Sequence, residues 1–141
     1  MDLRTQRWNE VREGDALPPL DVPLTTSLVV LGALASRDFM PVHHDRDAAV
    51  AAGSKDVFMN ILTTNGLVGR YVTDWAGPNA VLKKVAIRLG APNFPGDTMK
   101  MTGVVKSKED ATGVVDLEVM GSNSWGNHVT AKVQVALPRE A

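Results

Sequence analysis

Phe58-Met59-Asn60-Ile61-Leu62-Thr63-Thr64-Asn65-Gly66-Leu67-Val68-Gly69-Arg70-Tyr71-Val72-Thr73-Asp74-Trp75 is the stretch on which the fold turns. Its apolar residues, Phe58, Ile61, Leu62, Leu67, Val68, Tyr71, Val72 and Trp75, follow a helical period and not the alternation of a strand. Gly77-Pro78-Asn79 stops the helix. Gly66 and Gly69 each cost a helix roughly 1 kcal/mol relative to alanine. Their presence predicts another backbone packed closely against that face.

Downstream, the pattern changes period. Residues Val81 to Leu89, Thr98 to Ser107, Val114 to Ser122 and His128 to Leu137 alternate apolar with polar and are rich in Val and Thr. Turn signals at Pro92 to Asp97, Glu109 to Gly113 and Asn123 to Asn127 separate them. Four sequential strands of this length predict an antiparallel meander, and one long helix before them must bury its apolar face on the sheet. The fold class is therefore α+β, a curved antiparallel sheet wrapped around a long central helix.

Upstream, residues 1 to 22 scatter Trp8, Val11, Leu17 and Leu20 among charges, with Gly14-Asp15 and Pro18-Pro19 as breakers. They read as an irregular lead-in with short extended pieces. Thr25 or Thr26 can cap a mostly apolar helix from Ser27 to Ser36. A second short helix, Ala48 to Ala52, can be capped by Asp45 or Asp47 and is stopped by Gly53. Between the two helices lies Asp38-Phe39-Met40-Pro41-Val42-His43-His44-Asp45. Pro41 fixes its own φ and pushes Met40 towards an extended conformation, so this is a rigid bend and not a helix.

At 141 residues the chain reads as a single domain, 1–141, large enough to bury a core without staples. There is no cysteine, so neither disulfides nor thiolate metal sites are available. A net charge of -1 gives no reason to expect nucleic acid or an acidic membrane surface as a partner. The longest apolar run is too short to span a bilayer, and Met1-Asp2-Leu3-Arg4 does not open a signal peptide. A cytoplasmic protein is expected.

Four groups of residues can carry chemistry. Asp38 and His43, five positions apart around a proline, could hold a water molecule between two proton-handling groups. Taken alone, they could equally be a turn cap and a core histidine, although polar groups beside apolar helices are costly to bury. A metal held by Asp38, His43, His44 and Asp45 is not expected, because adjacent histidines project apart and His128 lies far along the chain. The start of the long helix, around Asn60 and Ile61, offers free backbone amides that would stabilise a developing oxyanion, unless Asn60 simply caps the helix. Of the basic residues Lys55, Arg70, Lys83, Lys84 and Arg88, one or two could meet the phosphates of a carrier such as coenzyme A.

With these residues in view, the chain resembles the MaoC-like hydratases and dehydratases of the hot-dog fold. Their signature Asp-x-Asn-Pro-x-His-x-Asp is matched by Asp38 to Asp45. The resemblance continues through Trp8, Gly14-Asp15, the helix start near Asn60 and the loop Pro92-Asn93-Phe94-Pro95-Gly96-Asp97-Thr98. Three runs sharpen it: Ser36 to Asp47, Gly53-Ser54-Lys55-Asp56, and Arg70 to Pro78. These are similar to the small MaoC-like subunits of actinobacterial hydratases that act on the shortened steroid side chain in cholesterol breakdown.

The resemblance implies an enoyl-CoA hydratase, a hydro-lyase acting on a steroid 17(20)-enoyl-CoA. It implies no cofactor apart from the CoA in the substrate, and a partner: a larger MaoC-like chain carrying a DUF35-type domain, or a second copy in a homodimer. The catalytic Asp and His fall on Asp38 and His43, and the oxyanion donor on the Asn60 backbone N–H. Met40, Ile61 and Gly66 are expected to line the substrate, and Lys84 to meet its phosphates. Two departures stand out. The signature's Asn is Met40 here, so a hydrogen bond that usually braces the site is missing or replaced. At the helix start, the Gly that usually donates the oxyanion amide corresponds to Asn60, whose backbone donor survives the change of side chain. Competing readings are a general short- or medium-chain (R)-specific enoyl-CoA hydratase and a non-catalytic partner subunit. A thioesterase is disfavoured, because Phe58 to Thr73 carries no carboxylate.

Overall fold

The computed structural model describes residues 4–139, so the reading of Met1-Asp2-Leu3 as free of a leader lies outside the described residues. In chain order the elements are β1 (Ala16–Pro23), α1 (Thr26–Ala35), a 3₁₀ turn (Pro41–His43), α2 (Arg46–Ala51), α3 (Ile61–Ala76), β2 (Val81–Leu89), β3 (Thr98–Glu109), β4 (Val114–Asn123) and β5 (Gly126–Ala136). The strands form one antiparallel sheet in the order β1-β3-β4-β5-β2. Helix α3 lies across one face through Thr64, Leu67, Val68, Tyr71, Val72 and Ala76. Alternate strand residues such as Met101, Val105, Leu117 and Val133 meet it, while Lys100, Thr102, Glu118 and Lys132 on the opposite face are exposed. No helix among the described residues is long and apolar enough to cross a membrane.

Four expectations need correction. The lead-in is not irregular throughout, because Ala16–Pro23 is a strand on β3, with Leu17 opposite Gly103 and Val22 opposite Met99. Pro18 and Pro19 sit where the register shifts, and an edge strand tolerates prolines at such a bulge. Only β3, β4 and β5 form a meander. β2 pairs with β5, and residues 90–97 cross the end of the sheet to start β3. Alternation says which residues form strands and which face they take, but not which strands are neighbours.

The long helix starts at Ile61, not Phe58, because the preceding backbone is engaged elsewhere. Phe58 N–H donates to Val42 O at 3.4 Å and Met59 N–H to Asn93 O at 3.0 Å. Finally, no backbone among the described residues packs on Gly66 or Gly69. A β-carbon at Gly66 would meet nothing within 4 Å, and one at Gly69 only the Leu82 side chain at 3.7 Å. The close approaches occur at other glycines. A β-carbon at Gly103 would lie 3.1 Å from Tyr71 Cε1, and one at Gly32 would overlap Thr63 Oγ1 and sit 2.8 Å from its Cγ2. Gly103 thus seats α3 on the sheet, and Gly32 seats α1 on α3.

Candidate active site

Helix α1 delivers Asp38. Thr25 caps it, accepting from Leu28 N–H at 3.0 Å. At the other end Arg37 takes a left-handed conformation, φ 59°. Arg37 N–H then donates to Leu34 O at 3.0 Å and Asp38 N–H to Ala33 O at 2.9 Å. These are the two bonds of a Schellman cap, with arginine where glycine is usual. Asp38 is the first residue past the cap. Met40 is extended (φ -60°, ψ 124°) as the residue before a proline should be, and Pro41 opens the 3₁₀ turn that carries His43 inward. His43 is buried and His44 is exposed, so the adjacent histidines do project apart. Asp45 caps α2, accepting from Ala48 N–H at 3.1 Å.

The two side chains converge. His43 Nε2 lies 3.4 Å from Asp38 Oδ2. On the other side of the ring, His43 Nδ1 lies 2.7 Å from the Phe58 carbonyl oxygen. A carbonyl can only accept, so this contact assigns the proton of the neutral ring to Nδ1 and leaves a lone pair on Nε2. Two acceptors 3.4 Å apart are suited to sharing one donor molecule, and a water can donate to both. The hydrogen bond from the Asn60 amide is the main cause that holds the Asp38 carboxyl below its ordinary range, followed by the Met40 N–H. Partial burial opposes this, and His43 in its protonated form adds a smaller lowering. Asp38 is therefore an anion at neutral pH.

The start of α3 completes the arrangement. Asn60 is the N-cap: its Oδ1 accepts from Thr63 N–H at 3.0 Å and from Thr63 Oγ1 at 2.5 Å. Its Nδ2 donates to Asp38 Oδ2 at 3.0 Å and to Ser36 Oγ at 2.9 Å. The capping role weighed as an alternative from sequence is thus realised, together with a contact to the carboxylate that sequence reasoning missed. The Asn60 backbone N–H makes no hydrogen bond among the described residues. It sits beside the first-turn amides of α3, at the positive end of the helix dipole.

Asp38, His43 and Asn60 are therefore brought together. Met40 and Ile61 flank them, 59% and 51% exposed. Gly66 stands exposed farther along α3, and Lys84 is exposed on edge strand β2, sharing no hydrogen bond or ion pair with the others among the described residues. The Phe58 carbonyl was missed because a backbone acceptor leaves no mark on the sequence. His128 is a separate brace. Its Nδ1 donates to Ala91 O at 2.6 Å and its Nε2 accepts from the Thr64 hydroxyl at 2.8 Å, while burial pushes its pKa down. Among the described residues no group of three His, Asp or Glu side chains is arranged to hold a metal ion.

Residues 10–124 match the family described as MaoC like domain. The chain belongs to that family. This MaoC-like chain is 50% identical over 124 residues to the 3-oxo-4,17-pregnadiene-20-carboxyl-CoA hydratase beta subunit of Mycobacterium tuberculosis, covering 88% of this chain and 95% of that protein. A chain in the crystal structure of the ChsH1–ChsH2 complex from Mycobacterium tuberculosis matches with a TM-score of 0.86 and 49% identity, over 89% of this chain and 98% of that one. The unliganded R-hydratase PhaJ1 of Pseudomonas aeruginosa has a TM-score of 0.83 at 20% identity, over 95% and 86% of the two chains. At that identity the likeness shows the shared fold alone. The fold is the hot-dog fold that the resemblance implied.

Proposed function

We propose that this chain is the catalytic small subunit of a heteromeric enoyl-CoA hydratase, adding water across the α,β double bond of a steroid side-chain CoA thioester. One observation carries the reading. His43 Nε2 and Asp38 Oδ2 face one another at 3.4 Å, with the histidine proton fixed on Nδ1, beside the amino end of α3. The pair takes a proton from one water as its oxygen bonds to the β-carbon. The electron pair of the double bond moves towards the thioester, whose oxygen is met by the Asn60 N–H at the helix start. The same pair then returns the proton to the α-carbon on the same face, so atoms and charges balance. General acid–base help of this kind contributes about 10²–10⁴ in rate, and an oxyanion donor roughly 10²–10³.

The substrate class is supported by half-identity to a protein named for a pregnadiene carboxyl-CoA. The surroundings agree. Leu31 and Leu34 at the end of α1, Phe39 and Met40 in the bend, and Ile61 and Leu62 at the start of α3 are all exposed apolar residues around the polar pair. Such a rim suits a bulky polycyclic acyl group or a protein surface better than water. Met40 and Ile61 lie on it, whereas Gly66, farther along α3, belongs to the reading only as a substrate contact and Lys84 only as a phosphate contact. The larger partner is supported by the heteromeric complex that contains the matching chain. Hydration involves no net oxidation or reduction, so it calls for no redox cofactor, and the reading needs none beyond the CoA of the substrate. A cytoplasmic location fits a CoA-dependent step.

The test is hydration of a steroid 17(20)-enoyl-CoA, followed by loss of the enoyl absorbance, with the chain alone and co-expressed with a larger MaoC-like subunit. Activity in the mixture that disappears with Asp38→Ala is the expected result. Equal activity of the lone chain on short enoyl-CoAs would make it a general hydratase. A mixture that remains active with Asp38→Ala would make it a non-catalytic subunit.

A further inference from the structure

We propose that the Asn60 side chain is a positioning residue for the reaction: its amide locks the Asp38 carboxylate against His43, a task that residue 40 of the bend does not perform. The inference rests on the hydration reading above and adds a residue role to it. Capping alone explains only half of what this amide does. Ser, Thr and Asp serve as N-caps about as well as Asn, because a cap needs one acceptor oxygen. Asn60 uses that oxygen on Thr63, and then uses both protons of its nitrogen, one on Asp38 Oδ2 and one on Ser36 Oγ. Among the good caps, only asparagine has a donor at the other end of the same rigid plane.

The orientation of that plane is determined by its neighbours. Ser36 Oγ gives its own proton to Gly32 O at 2.7 Å, so it must accept from Asn60. Turning the amide over would point its oxygen at the Asp38 carboxylate and its nitrogen at the Thr63 N–H, opposing like groups on both sides. With Asn60 only 1% exposed, water cannot take over either contact. The carboxylate oxygen it holds, Oδ2, is the one that faces His43 Nε2. The position of Asp38 is thereby tied to the first turn of α3, and with it to the amides at the helix start. Met40, standing where the family signature has asparagine, contributes only its backbone N–H, at 3.3 Å from the other carboxylate oxygen. Its side chain points out to solvent, 59% exposed.

Asn60→Asp and Asn60→Ser test this: both keep a capping oxygen, the Asp carboxylate has no donor at neutral pH, and Ser replaces the two amide N–H donors with a single hydroxyl on a shorter side chain. In the complex with the larger subunit, kcat/KM should fall about 10- to 100-fold, the range expected for a hydrogen bond to a charged group. The loss should appear in kcat more than in KM. The acid limb of the pH profile should move to higher pH, further for Asp than for Ser, because a second carboxylate adds like-charge repulsion. Carboxyl NMR of the free protein should show the Asp38 titration moving the same way, whatever the activity. If both variants fold with wild-type melting, pH profile and Asp38 titration, Asn60 is a cap and nothing more. Wild-type protein without hydratase activity, but with the NMR shift present, would sink the hydration reading and leave the positioning role standing.

Discussion

In the middle of strands β3, β4 and β5 each inward apolar side chain is one of many equivalent supports. Val105, Leu117 and Val133 lie side by side in register, all 2% exposed or less. Where α1, the bend and α3 meet, the arrangement is inverted. Large apolar residues such as Phe39 and Met40 stand in solvent, while His43 and Asn60 are buried and each has a specific hydrogen-bond partner. One region is held by area, which degrades gradually. The other is held by directed bonds, which fail individually. A substitution in the first should therefore lower stability with the chemistry intact, and one in the second should do the opposite.

The sharpest test pairs His43→Ala with Leu117→Ala. The first should lower turnover by about 10²–10⁴ while the melting curve moves little. The second opens a cavity between β3 and β5, which costs roughly 2–5 kcal/mol, and the protein that remains folded should turn over normally. Parallel losses of stability and activity in both variants would break the comparison.

The same contrast decides how much of the molecule is legible in its sequence. Alternation in Val81 to Leu89 and Val114 to Ser122 reports a repeating environment, so the strands and the helix they face were legible from period alone. Asp38 and His43 were legible because their spacing around Pro41 matches a known signature. Asn60 was legible as a helix start, but its donor end was not. The contact to Asp38 spans 22 positions and depends on where Arg37 turns the chain. The position of β2 beside β5 was hidden for a related reason, since strand order is set by a crossing at residues 90–97 and not by any local pattern. Pro18 and Pro19 misled because their meaning depends on whether a strand lies at an edge.

A milder test lies at the seat of α1 on α3. Gly32→Ala gains helix propensity but drives a methyl group into Thr63, whose N–H and hydroxyl both bind Asn60. Overpacking of this kind costs about 1–3 kcal/mol, more than the propensity returns. Activity should fall with it, because the displaced Thr63 disturbs the amide that holds Asp38. Thr63→Ala in the same chain removes the obstruction, so the double variant should recover most of the melting temperature. Simple additivity of the two changes would show that the helices do not meet at this point.

The smallest effect is expected at Arg37, and its sign is what matters. A side chain held at φ 59° carries left-handed strain of roughly 1–2 kcal/mol, which glycine would relieve. Glycine also loosens the unfolded chain, which removes about 0.4–1 kcal/mol of the gain. Arg37→Gly should therefore raise the melting temperature slightly and leave turnover within about twofold, because both bonds that place Asp38 come from the backbone and survive the change. Arg37→Ala retains the β-carbon, and so the strain, and should bring no such rise. If alanine stabilises as much as glycine, the effect belongs to the guanidinium and not to the turn. If glycine instead lowers the melting temperature, the arginine side chain is itself holding the bend, and the site depends on a contact beyond the hydrogen bonds that now define it.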